Sequence, residues 1–302
     1  MKEKTLLNEY EFEIFKDFSK KHNPATRHDY LSKVILFKEF NKNKDLTGIT
    51  KENCDRFMEF VRDNYAKSTS EKIYSYLHSF YNFMKKEEYI ESNPFKLVKK
   101  PQVSRIKTKD DVLSIQEINK IIDALPRLNM RDRLIMVFLI TTGCLLNELV
   151  NLKWKDLMLD EKDNGYVRLG KNKKERVVKL HPYCFSMIED YRNYLGLPEA
   201  IMPTDDFVFI SQKSNSITDR NVRIIVKKAL DIAGLSNYSA KDFRHSFAAI
   251  SLRLGAGEED IKNQLGWSDK YYAIRYKYVL NFVDSESIDY IMSSDKMNIN
   301  KK

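Results

Sequence analysis

Cysteine is scarce in this chain: Cys54, Cys144 and Cys184 are its only three. They are odd in number and nowhere paired as CxxC, so the sequence offers neither a disulfide framework nor a zinc knuckle. The five histidines, His22, His28, His78, His181 and His245, are scattered without ligand spacing. No metal site and no cofactor are expected. Long apolar runs are missing too. None approaches the roughly 20 residues that span a bilayer, and residues 1–9 lack the apolar core of a signal peptide. A soluble, cytoplasmic protein with no membrane partner is the expectation.

Positive charge is what the chain has in excess. It carries 52 Lys+Arg against 43 Asp+Glu, a formal net charge of +9 and a pI near 9.1. Such a balance favours a polyanionic partner, and nucleic acid leads the candidates. At 302 residues the chain is long enough for two domains, each burying its own core.

Apolar spacing divides the chain. After a polar N-terminal arm, Tyr30, Leu31, Val34, Ile35, Phe37 and Phe40 mark one amphipathic helix, and Thr50 caps a second bearing Cys54, Phe57, Met58 and Val61. A third carries Ile73, Leu77, Phe80 and Met84 and is expected to close at Ser92-Asn-Pro94, because the residue before proline is pushed out of the helical region. Tyr74, Tyr76 and Tyr81 at helical spacing read as core, not as a base-stacking platform. Residues 1–97 thus form a small helical domain.

A basic stretch, 98–111, follows. Lys99, Lys100, Arg105, Lys107 and Lys109 occur there without a carboxylate until Asp110. It reads as a linker whose charges could track a DNA backbone, a plainly solvated linker being the alternative. Ser114-Ile-Gln-Glu117 is a capping box that opens the second domain, 112–283. Residues 131–143 are nearly all apolar after a charged start, as suits a central buried helix that Gly143 breaks, and a helix resumes over 145–152. Residues 165–170 and 175–181 read as a β-hairpin with the lysine-rich tip Lys171-Asn-Lys-Lys174, and 207–210 as a third short strand. Residues 218–233 are helical. The second domain is mainly α with a small β-sheet.

The stretch Ser239-Ala-Lys-Asp-Phe-Arg-His-Ser-Phe247 carries the chemistry. Phe243, Phe247, Ile250 and Leu254 fall at a helical period, so Lys241 and Arg244 share one face near a helix start. The planar fork of Arg244 beside backbone N–H groups suits a phosphate. A solvated basic helix end is the plainer alternative.

Several pieces now stand in order: Arg133, Thr142-Gly143, Glu148-Leu149, Gly170-Lys171, Lys174-Glu-Arg176, Lys241-Asp-Phe-Arg-His-Ser-Phe247, Leu265-Gly-Trp-Ser268 and Tyr276. Together they resemble the tyrosine recombinase (phage integrase, Xer-like) family over roughly residues 25–285. The resemblance implies an N-terminal core-binding (SAM-like) domain and a C-terminal DNA breaking-rejoining domain. It implies in-line attack of a tyrosine on a DNA phosphodiester, a 3′-phosphotyrosyl intermediate and rejoining without metal or ATP. Tyr276 would be the nucleophile, best placed of Tyr271, Tyr272, Tyr276 and Tyr278. Lys241, Arg244 and the Trp267 indole would bind the non-bridging oxygens, and Lys171, preferred over Lys173 and Lys174, would protonate the leaving 5′-oxygen. Lys173 and Lys174 remain candidate DNA contacts. The partner would be double-stranded DNA, bound by a tetramer or by a hetero-assembly with another recombinase. Residues 284–292 of the tail are expected to form a short helix that docks on a neighbour.

The chain departs from the family pattern. Lys241 and Trp267 stand where histidine is common, and both still donate hydrogen bonds. The serious departure is Leu145, at the position of a phosphate-clamping arginine in the family's Thr-Gly-Leu-Arg-x-x-Glu-Leu pattern. Losing such a donor costs ~10² to 10³ in rate, so cleavage is expected to be crippled unless another cation fills in. Arg131, Arg133, Lys153 and Lys155 are near in sequence, and Glu148 is expected to lack the partner it supports. Three readings follow: a recombinase, a DNA-binding accessory partner that cuts nothing, and a plain basic helical protein. Retention of Lys171, Arg244, Trp267 and Tyr276 argues against the third.

Overall fold

A computed structural model describes residues 6–104, 108–198, 203–211, 214–276 and 279. Two compact units, Met1–Ser104 and Arg105–Lys302, divide the chain inside the basic stretch. The expected tail helix, Arg105, Lys107 and Tyr278 lie outside the described residues, as do the side chains of Lys109 and Lys173. No helix among the described residues is long and apolar enough to cross a membrane.

Among the described residues the first unit has four α-helices: α1 (Glu9–Ser19), α2 (Pro24–Phe40), α3 (Lys51–Asn64) and α4 (Lys67–Lys86). Asn8, Asn23 and Thr50 cap the first three, each accepting a hydrogen bond from a backbone N–H of the opening turn. Their apolar faces meet in an aromatic core that includes Phe18, Phe37, Phe57, Phe80, Tyr81 and Phe95.

Two expectations fail here. The polar arm is in fact α1, which buries Ile14, Phe15 and Phe18. Its polarity misleads because Glu11 is itself buried, bound to Lys38 of α2 and to the Leu46 amide at 2.9 Å. Helix α4 also stops well before Ser92-Asn-Pro94. Glu88 adopts a left-handed φ of 61°, and the Tyr89 amide folds back onto the Met84 carbonyl at 2.9 Å, closing the helix without proline. The basic stretch begins as part of this unit: Val98 is buried in its core and Lys100 pairs with Glu71 at 3.2 Å.

The second unit contains α5 (Ile115–Ala124), α6 (Met130–Thr142), α7 (Leu146–Val150), β1 (Leu157–Leu159), β2 (Gly165–Leu169), β3 (Arg176–Lys179), α8 (Pro182–Tyr194), α9 (Asp219–Ile232), α10 (Ala240–Arg253) and α11 (Glu258–Leu265). A 3-10 helix spans Lys270–Tyr276. Helix α6 is central, packed against α8, α9 and α10, which is why its sequence is apolar on every face.

The sheet is antiparallel in the order β1-β2-β3, with Val167 opposite both Leu157 and Val178. Its third strand is β1, not 207–210 as the sequence suggests. Phe207 makes only an isolated bridge to Lys153, while a tight turn on the Asp160 carboxylate, which accepts from the Lys162 and Asn164 amides, folds β1 onto β2. The fold is thus mostly helical with a small three-stranded sheet.

Candidate active site

Four chain segments converge on one cavity of about 490 Å³: the start of α7, the start of α9, the first turns of α10, and Trp267 with the 3-10 helix that ends at Tyr276. Lys241, Arg244, Trp267 and Tyr276 all line it, and so does Leu145. A larger cavity of about 940 Å³, between Trp154, Arg192 and residues 204–211, contains none of the residues singled out in the sequence.

Gly143 makes the convergence possible. It ends α6 with a left-handed φ of 62°, and a Cβ there would come within 2.8 Å of Leu265 and 2.9 Å of Phe247. Without a side chain, α6 ends against α10 and α11, and the Gly143 carbonyl accepts from Arg244 Nη1 at 2.8 Å. Arg244 Nη2 donates to the Leu265 carbonyl at 2.5 Å. The guanidinium is therefore fixed by two neutral carbonyls. Burial pulls its pKa below the ordinary arginine value, against the opposing pull of Glu148. A half-buried cation that no carboxylate bonds directly is an anion site by its electrostatics.

Tyr276 is 3% exposed. Its ring stacks on Trp267, centroids 6.0 Å apart and planes within 8°. Burial pushes its phenol up to about 12, with Arg244 and Arg275 pulling the other way. Its hydroxyl lies 2.8 Å from His245 Nδ1. Nothing in the sequence marks His245 for this place, since one histidine directly after Arg244 carries no ligand pattern; the α10 phase that brings Lys241 and Arg244 together also turns His245 toward the 3-10 helix.

Other expected residues fall elsewhere. Lys171 and Lys174 are exposed at the turn between β2 and β3, and Lys171 does not line the cavity. Gly170 permits that turn, with φ of 85° and the Lys174 carbonyl 2.2 Å from where a Cβ would sit. Lys99 is exposed in the first unit.

Leu145 is 48% exposed and presents only hydrocarbon to the cavity. Glu148 is not left alone, contrary to expectation. Arg176 of β3 grips it through two hydrogen bonds of 2.6 and 3.0 Å, and Arg176 Nε donates to the Gln264 carbonyl at 2.7 Å. Burial works against the Glu148 charge, but Arg176 and the Leu145 amide, 2.8 Å away, hold its carboxyl below the usual range.

None of the four cations near Leu145 in sequence lines the cavity. Arg131 is held by Asp132 and the Ile210 carbonyl, and Lys153 and Lys155 both pair with Asp205. Two cations that the sequence reading missed do line it: Arg223 of α9, and Arg275, stacked over Tyr272 at 4.2 Å.

Comparison with known proteins bears on the family and the fold. The phage integrase family model matches residues 111–281, and the model of the phage integrase N-terminal SAM-like domain matches residues 12–88. Tyrosine recombinase XerC of Staphylococcus aureus (strain USA300 / TCH1516) is 30% identical over 262 residues, covering 85% of this chain and 86% of that protein. Among solved structures, the fold is similar to XerH site-specific recombinase in a post-cleavage complex with its palindromic difH substrate, with a TM-score of 0.72 and 21% identity over 89% of this chain and 79% of that one. It is also similar to a lambda integrase fragment bound as a dimer to a COC′ core site, with a TM-score of 0.70 and 16% identity over 91% of this chain and 96% of that one.

Proposed function

The chain belongs to the phage integrase family, and on that premise we propose that it is a site-specific recombinase that cuts and rejoins double-stranded DNA through a 3′-phosphotyrosyl intermediate. The observation that carries this reading is the cavity that a tyrosine, an arginine bonded to no carboxylate, a lysine and an indole line together. Phosphoryl transfer asks a protein chiefly to position groups and to stabilise charge on the non-bridging oxygens. Arg244, Lys241 and the Trp267 N–H are the donors for that purpose.

Tyr276 Oη attacks phosphorus, the P–O5′ bond breaks, and the phenol proton passes to His245 Nδ1. With a phenol at about 12, the tyrosine is protonated at neutral pH and needs that acceptor. Lys171 gives the leaving 5′-oxygen its proton, moving in from the exposed hairpin turn as DNA binds. Rejoining runs the steps in reverse with a new 5′-hydroxyl. Assembly of several copies on DNA, or with a second recombinase, is part of this reading.

Leu145 favours a second reading, a DNA-binding partner that does not cleave. One experiment separates the two. Duplexes are recovered with the purified protein from a randomised library, nicked at successive positions, and incubated with wild type and Tyr276→Phe. A recombinase gives a covalent protein-DNA adduct that Tyr276→Phe abolishes; an accessory protein binds the same duplexes and gives none. Binding should weaken by ~10³ or more between roughly 50 and 200 mM salt, since each neutralised phosphate releases counterions.

A further inference from the structure

We propose that Arg223 supplies the cation missing at Leu145, contacting the scissile phosphate from the α9 wall of the cavity, which adjoins α7. The inference rests on the recombinase reading and deepens it: Leu145 leaves one side of the phosphate without a donor, and a family enzyme so altered works only if another element supplies one.

Elimination among the cations narrows the choice. Arg176 has the right charge, but Nε and both terminal nitrogens are already engaged by Gln264 and Glu148, and the side chain does not line the cavity. Arg275 lines the cavity too, but its guanidinium is engaged by the Tyr272 ring, 4.2 Å from the centroid. Arg223 does line the cavity, is exposed, and makes no hydrogen bond or ion pair among the described residues.

Local structure explains why it is there. Thr218 caps α9, accepting from the Asn221 amide at 3.2 Å, and Val222, Ile225, Val226 and Ala229 bury one side of the helix. Asp219 and Arg223, four apart, then share the face that meets the cavity, without pairing with each other. Helix α9 packs directly against α7, the helix that Leu145 opens, so Arg223 and Leu145 belong to adjoining walls.

The chemistry agrees with this placement. Two of Arg244's five N–H donors are spent on the Gly143 and Leu265 carbonyls, so it brings three to an anion, and a second cation adds to them. A second guanidinium, always charged and unengaged, completes the set. Its side chain reaches the phosphate from α9, whereas the family pattern places the arginine at the start of α7.

The test uses full-length protein and the nicked duplexes described above, with adduct rates taken at saturating protein and affinity measured separately. Arg223→Ala is expected to lower the single-turnover adduct rate by ~10² while changing affinity much less, with an unchanged circular dichroism melt. Arg223→Ala combined with Leu145→Arg is expected to recover at least tenfold of that loss. A wild-type adduct rate in Arg223→Ala, a loss confined to affinity, or a rate loss that Leu145→Arg does not recover would each overturn the inference while leaving the recombinase reading intact. So would a wild type that is inert where Leu145→Arg alone forms adduct. Failure of the recombinase reading looks different: no adduct from wild type or Leu145→Arg on duplexes that both bind.

Discussion

The Glu11–Lys38 pair of the first unit and Arg244 of the second handle buried charge in opposite ways. In the first, Glu11 and Lys38 are both buried and bound to each other, and the remaining capacity of Glu11 is taken by the amides of Asn8 and Leu46. Nothing is left over for a ligand. In the second, Arg244 is fixed by two carbonyls that carry no net charge, and Glu148 acts on it without bonding it, so donors remain for an anion. A self-satisfied ion pair positions helices; a positioned cation with donors left over binds substrate.

Removing the cation from each unit should therefore have opposite consequences. Arg244→Met is expected to lower adduct formation by ~10³ or more and to lower the thermal melt less than the loss of Lys38 does, because it takes donors from two carbonyls but strands no buried carboxylate. Lys38→Met leaves Glu11 buried and unpaired, which costs about 3–5 kcal/mol, and it should lower the melting temperature of the first unit without touching the chemistry at saturating DNA. The pair Glu11→Leu with Lys38→Met should recover most of that stability. Equal destabilisation by Arg244→Met and Lys38→Met would erase the distinction.

The same contrast accounts for how much of the molecule could be read from sequence. Periodicity was sufficient for the phase of α10, the break at Gly143 and the hairpin around Lys171, since each is decided by residues close in the chain. It failed where a local rule met a distant partner. Glu11 looks like a surface residue until Lys38 and Leu46 arrive from α2 and the loop after it, so α1 was read as a polar arm. Arg176 answers Glu148 from a strand 28 residues away, a pairing with no spacing rule to announce it. Arg223 and His245 have no individual motif either; their roles come from where α9 and α10 pack.

Alkali should test the second unit next. Burial raises the thiols of Cys144 to about 12 and Cys184 to about 11 from an ordinary 9, and the Tyr276 phenol to about 12 from 10. Each group is favoured in its protonated form by the fold, so its stabilisation is complete below the ordinary value and is lost as pH rises through the folded one. The second unit is expected to lose several kcal/mol between about pH 9 and 12, since one pH unit of acidity difference is worth about 1.4 kcal/mol per group. Tyr276→Phe should flatten the upper part of that decline. A melt insensitive to pH across this window would show the three groups to be solvated.

The smallest effect concerns what each buried phenol faces. Tyr74 and Tyr81 of the first unit donate to the carbonyls of Phe95 and Leu46, both at 3.1 Å, and a carbonyl cannot take the proton away. Tyr276 faces a ring nitrogen, which can. If His245 accepts the phenol proton, His245→Gln keeps a hydrogen-bonding partner but loses the base, and the adduct rate should fall by ~10². Its dependence on pH should change as well. The His245→Gln rate should climb about tenfold per pH unit, more steeply than the wild-type rate, because the only route left is ionisation of a phenol at about 12. Measurements from pH 6 to about 9 avoid the alkaline loss of the fold. Recovery of the full rate and the wild-type profile in His245→Gln would make the histidine a positioning residue, and the proton acceptor would have to be sought among the groups that DNA brings with it.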